Sequence, residues 1–149
     1  MIAIAIALAL QTATPAGWEL SSRQDPMTDV VTHTATLTDG RKGLNVSCTP
    51  EGFTASYVDL DGIGAVPHWR LVEYRFDDQP MIQGDWKYGD QAVFAYGSNA
   101  RQFLMGLGQA DRVRIRANTV VGAPSVGDFD VRGIGEAIAS LNERCGLIG

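Results

Sequence analysis

From Val31 to Asp59 the sequence alternates almost without a break. In "VTHTATLT", Val31, His33, Ala35 and Leu37 share one face of an extended chain, while Thr32, Thr34, Thr36 and Thr38 share the other. "DGRKG" supplies a turn. "LNVSC" then resumes with Leu44, Val46 and Cys48 inward, "TPEG" turns the chain, and "FTASYVDL" continues with Phe53, Ala55 and Tyr57 together. A repeat of two belongs to a strand, and short alternating runs broken by Gly, Asp and Pro fold back as antiparallel hairpins. The last two runs read as one such hairpin, so this stretch commits the chain to a sheet.

The rest follows the same grammar. "GWEL" reads as a short first strand. "HWRLVEYRF" places Val72, Tyr74 and Phe76 on one side, "MIQGDWKY" and "QAVFAY" follow, "RVRIRAN" turns Val113, Ile115 and Ala117 inward, and "FDVR" closes the set. Helical spacing occurs twice. In "SNARQFLMGLGQAD", Phe103, Leu104 and Leu107 make a stripe, Ser98 is placed to cap the first amides, and Gly106 and Gly108 limit the length. The second helix is expected from Ile134 to Cys145. Ile134, Ala137, Ile138, Leu141 and Cys145 line one side, Glu136 sits in the first turn, and Gly146 stands where a left-handed cap belongs. The 149 residues are 45% hydrophobic and 19% charged, enough for one ordinary domain with a real core. The expected fold is mainly β: an antiparallel β-sandwich or curled sheet over 17–149, with one short helix and a C-terminal helix packed on it.

Residues 1–16 read differently. Ile2 to Leu10 is an apolar run too short to span a bilayer as a helix, and small residues at Thr14 and Ala16 suit signal peptidase. We read a secretory signal cut after Ala16, with the α-amino group as its only positive charge. A buried strand of alternating large and small residues is the other reading. Export places the protein in the periplasm or outside the cell. There an even count of two cysteines fits pairing of Cys48 with Cys145, the first pointing inward from a strand and the second from the last helix. A bridge closing so long a loop contributes about 4 to 5 kcal/mol in the chain-entropy account. Two buried free thiols acting as small hydrophobes are the alternative.

The ordered runs "GWEL", "LNVSC", "VEYRFDD", "GDWKYGDQAVFA", "RQFLMGLGQADRVRIRA" and "FDVRGIGEAIASLNERC" together resemble the VasI family, proteins associated with type VI secretion loci. The resemblance covers Trp18 to Cys145 and ends in Phe129, Gly133, Ala137, Leu141 and Cys145 at spacings of four. It implies an exported, β-rich accessory protein with no established enzymatic activity and a protein partner such as a component of the secretion apparatus. Similar proteins in phage-like settings widen the expected role.

Chemistry is sparsely signalled. His33 and His68 lie in different strands without the spacing of a metal site, and no metal or other cofactor is expected. No nucleophile elbow, phosphate loop or dinucleotide fingerprint occurs. Asp59, Asp61 and Gly62 match only part of a calcium loop, and Asp77 and Asp78 sit in a turn that favours Asp for backbone reasons. No catalytic residue is assigned. A net charge of −5 disfavours nucleic acid and anionic membrane surfaces as partners. Tyr74, Arg75, Trp86 and Tyr88 are the residue types that dominate recognition hot spots and are the candidate binding residues, although alignment with Val72 and Phe76 turns Tyr74 into the core and Arg75 to the opposite face, and a core aromatic cluster with a surface arginine is the favoured alternative. Arg112, Arg114 and Arg116 form the one basic stripe. Asp128 and Asp130 face the same way, and cross-strand pairs Arg114–Asp130 and Arg116–Asp128 are expected. The expected function is an exported, non-catalytic binding protein; a small ligand- or glycan-binding inhibitor module, phage-encoded or secreted, is the alternative.

Overall fold

The computed structural model describes residues 17–64, 69–119 and 123–146. The expected signal segment and His68 lie outside the described residues. Along the chain come β1 (Trp18–Gln24), β2 (Val31–Asp39), β3 (Lys42–Thr49), β4 (Gly52–Asp59), β5 (Trp69–Phe76), β6 (Ile82–Tyr88), β7 (Ala92–Ala95), α1 (Gly97–Leu107), β8 (Arg112–Ala117), β9 (Ser125–Asp130) and α2 (Ile134–Cys145). All nine strands hydrogen-bond into one antiparallel sheet in the order β1-β2-β3-β4-β7-β6-β5-β8-β9. Of the two forms expected from the sequence, this is the curled sheet.

The alternation decides which side is inner. Leu44, Val46 and Cys48 of β3, Ala55 and Tyr57 of β4, Val72, Tyr74 and Phe76 of β5, and Val113, Ile115 and Ala117 of β8 are all buried on one face. The sheet bends around that face until β9 lies against β4, five places away in the strand order. The Tyr57 and Phe129 rings meet edge to face at 6.1 Å, and the Lys42 ammonium of β3 donates to the Val126 carbonyl of β9 at 2.5 Å. Lys42 thereby occupies a carbonyl of the terminal strand, one way of blunting a sheet edge.

Both helices fill the concavity. Phe103 of α1 sits among Tyr74, Trp86 and Phe76, with ring centroids 5.0, 5.2 and 5.7 Å away. Edge-to-face and tilted rings at these separations add to what area burial alone supplies. The helix starts ahead of Ser98: Tyr96 is the cap residue, without a side-chain cap bond, and Gly97 (φ 55°) opens the first turn. The expected Ser98 cap is therefore replaced by a backbone turn through glycine. Gly106 is not a stop either, since a Cβ there would lie 2.2 Å from the Phe76 ring. It is the position at which α1 comes close enough to bury its stripe.

α2 has the expected bounds, with Ile134, Ala137, Leu141 and Cys145 buried and Ile138 partly so. Gly146 (φ 67°) is left-handed, and its N–H reaches back to the carbonyls of Asn142 and Glu143. The sulfurs of Cys48 and Cys145 lie at disulfide distance, 1.99 Å, with Cα atoms 6.2 Å apart. The pair joins the last helix to the third strand.

Candidate functional site

Three of the four candidate binding residues belong to the core. Tyr74, Trp86 and Tyr88 are 2%, 0% and 4% exposed. Tyr74 and Trp86 pack at 5.9 Å. The Tyr88 hydroxyl donates to the Leu71 carbonyl at 3.1 Å and accepts the Asn118 N–H at 3.0 Å, tying β5 to the end of β8. Burial pushes the Tyr74 phenol above its ordinary value. These side chains build the sheet's inner face and offer no surface to a partner. Arg75, between Tyr74 and Phe76, points outward.

The outer face of β5, β8 and β9 forms the charged surface. Register places Glu73 opposite Arg116 and Arg116 opposite Val126; one pair further, Arg75 opposes Arg114 and Arg114 opposes Asp128. The expected ladder was therefore two residues out. Arg114 faces Asp128 rather than Asp130, Arg116 faces Val126, and Arg112 faces Asp130. The cause lies on the inner side. Gly127 stands opposite Ile115, and a Cβ at Gly127 would lie 2.5 Å from the Phe129 ring and 2.7 Å from the Tyr57 ring. The one residue without a Cβ is placed where two rings need its space.

The links of Arg114 and Arg116 follow this register, and that of Arg112 runs diagonally. Arg112 and Arg114 both reach Asp128, at 2.8 and 3.4 Å, and Arg116 reaches back across β5 to Glu73 at 2.8 Å. The hydrogen bond from Arg116 is the main reason the Glu73 carboxyl lies below its ordinary value. Asp130 is taken by Arg132, whose side chain and backbone N–H both donate to it, and its carboxyl is held down to about 2. Asp77, left-handed at φ 47°, accepts the N–H groups of Asp111 and Arg112 at 3.2 and 2.9 Å and so fixes the start of β8. Leu71, Met81 and Val126 add apolar surface, at 46%, 49% and 44% exposed. A shallow depression of about 250 Å³ lies between Glu73, Arg75, Met81, Arg114, Arg116 and Val126.

Two polar groupings escaped the sequence reading. Inside the curl, Ser125 donates to the Asp59 carboxylate at 2.5 Å, and the Tyr57 hydroxyl lies 2.7 Å from the Ser125 oxygen. Since the serine's one proton goes to Asp59, Tyr57 is the donor in the second bond. Burial pushes the Tyr57 phenol up, with the Asp59 charge acting the same way, so it keeps that proton. Asp59 also accepts the Asp61 N–H at 2.9 Å. Ser125 lies more than sixty residues from both partners, and no local pattern announces the contact. The second grouping is Ser22 with His33 Nδ1 at 2.6 Å. They are direct cross-strand partners of β1 and β2, so their closeness is what the register supplies. A depression of about 420 Å³ beside His33 is bordered by Asp29, Arg144 and Cys145.

Among the described residues no group of three or more His, Cys, Asp or Glu side chains could hold a metal ion, and no helix is long and apolar enough to cross a membrane. Compared with protein-family models, curated proteins and solved structures, the chain matches none.

Proposed function

We propose that the chain is an exported, non-catalytic accessory protein that acts through protein contacts, in keeping with the VasI resemblance and its tie to type VI secretion. The observation that carries the reading is the outer face of β5, β8 and β9. Leu71, Met81 and Val126 stand exposed there beside Arg75 and Arg114, whose side chains are 45% and 67% exposed. Arg and Met are enriched in recognition surfaces, and an open strand face suits a broad partner better than a small substrate. The Ser22–His33 pair gives weak support to catalysis, because a flat cross-strand contact on an edge strand accounts for it. The paired cysteines agree with an oxidising compartment.

A glycan- or small-ligand-binding module is the second reading. It is favoured by the Phe94 and Tyr96 rings, stacked at 6.3 Å and 23° beside β7, with Tyr96 exposed. Flat aromatic pairs of this kind suit the apolar face of a sugar.

The test is site-specific photo-crosslinking in cells that export the protein, with the reactive group at Val126, at Tyr96 or at Glu19 on β1. A protein adduct at Val126 and none at Glu19 is expected. Adducts confined to Glu19, or none at any position, would contradict the reading. N-terminal sequencing of the exported chain should begin near Gly17; a chain retaining Met1 would remove the export.

A further inference from the structure

We propose that the face around Arg75 and Arg114 receives an acidic peptide segment, whose carboxylates lie across the two guanidiniums. The inference rests on the contact-surface reading above and names the chemistry of the partner. Its starting point is a mismatch: Arg75 and Arg114 are direct cross-strand partners. Like charges directly opposite on a sheet destabilise it, so the fold gains nothing from this pair.

Most of the neighbouring carboxylates are already engaged. Asp128 serves both Arg112 and Arg114. Glu73 is engaged by Arg116, Asp130 by Arg132, and Asp77 by two backbone N–H groups of the β8 start. The carboxylate near Arg75 is Asp78, 4.0 Å away on a fully exposed side chain, where an ion pair has little hold. The depression is lined by Arg75, Arg114 and Arg116 against the one carboxylate of Glu73, while Asp77, Asp78 and Asp111 border Arg75 and Arg114 on the other side, in a chain of net charge −5. Within the depression the excess is positive where the whole is negative, which selects an anionic partner there and orients its approach.

Guanidinium groups present planar paired donors that match carboxylate and phosphate oxygens. Met81 and Val126 flank the arginines with exposed apolar surface. A free phosphate would leave those shoulders unused, whereas a peptide carrying apolar residues between its acids would cover them.

The probe is a short labelled peptide alternating Glu and Leu, read by fluorescence anisotropy on the intact protein, with a Lys-and-Leu peptide as control. Saturable binding that weakens with salt is expected for the acidic peptide. R75Q/R114Q should weaken it about tenfold or more, the scale of losing charge-assisted bonds, and R75E/R114E should favour the Lys peptide instead. Circular dichroism melts of both variants establish that they are folded; the Gln pair carries the test if the Glu pair is not. Binding of the acidic peptide unchanged in R75Q/R114Q would overturn the proposal. So would full displacement by inorganic phosphate at equal concentration, which would mark a small-anion site, or equal binding of the Lys peptide by the unaltered protein. If the Val126 adduct persists in R75Q/R114Q, the acidic-peptide inference fails while the contact surface stands. If no adduct forms in the unaltered protein, the contact surface itself fails.

Discussion

Strands β5 and β8 carry two faces built by the same backbone to opposite ends. On the inner side Val72, Tyr74, Phe76, Val113, Ile115 and Ala117 are buried, and the rings close around Phe103 of α1. On the outer side Arg112 and Arg114 share Asp128, Arg75 lies 4.0 Å from Asp78, and Arg116 pairs with Glu73, all of them open to solvent. Buried rings contribute kilocalories each, while exposed ion pairs contribute about 0 to 1 kcal/mol. A period of two therefore lets neighbouring residues divide the chain's surface, a packed core on one side and an exposed charged face on the other. Substitutions across this pleat should have separable effects.

The largest effect should come from the centre of the inner face. Phe103→Ala removes the ring that three others touch and should cost about 3 to 5 kcal/mol in urea unfolding. A cost below about 1 kcal/mol would mean that the ring cluster does not hold α1. Next comes the covalent tie of the other helix. Cys145→Ser should cost about 2 to 5 kcal/mol. Cys48→Ser should cost the same, with the double variant no worse than either. Two freely alkylated thiols in the exported protein would refute the pairing and leave α2 to its aliphatic stripe. A smaller loss should follow Ser125→Ala, which strands the Tyr57 hydroxyl and one Asp59 oxygen inside the curl. About 1 to 3 kcal/mol is expected for unsatisfied buried polar groups, and a neutral result would show water reaching the seam.

The smallest effect belongs to the outer surface and depends on pH. The Asp130 carboxyl lies at about 2 in the folded chain against an ordinary 3.8. Its stabilising contribution is present above 3.8 and is lost as pH falls through about 2. Asp130→Asn should flatten the acid limb of the stability curve in that window and change nothing at neutral pH beyond the loss of an exposed pair. A variant curve as steep as the original below pH 3.8 would assign the acid sensitivity to other carboxylates.

How much of this was legible in the sequence depends on how far each signal reaches. The β3–β4 hairpin and the α2 stripe are written in residues two to four apart, and both appear as expected, down to Gly146 as the left-handed cap. The meeting of Cys48 with Cys145 followed from two inward faces and an even count. The β8–β9 register was misread because Gly127 is explained by the rings of Phe129 and Tyr57, one of them on a distant strand. Ser98 looked like a cap because its chemistry is right, but the turn at Gly97 starts the helix before it. Tyr74, Trp86 and Tyr88 have hot-spot composition; alternation with Val72 and Phe76 turns Tyr74 inward, as found, whereas no aliphatic neighbour in "QGDWKY" marks the inner side for Trp86 and Tyr88. The Tyr57–Ser125–Asp59 bonds required the curl itself, which no local pattern encodes.

The central claim is that the outer face of β5, β8 and β9 binds without holding the fold. The most direct measurement is to follow thermal melting and the Val126 photo-adduct together in R75Q/R114Q. The account predicts a melting curve close to that of the unaltered protein, since exposed pairs contribute at most about 1 kcal/mol, and loss of the adduct. No adduct in the unaltered protein, or a collapse of the melting transition in the variant, would contradict it; an adduct retained in the folded variant would remove the acidic peptide alone.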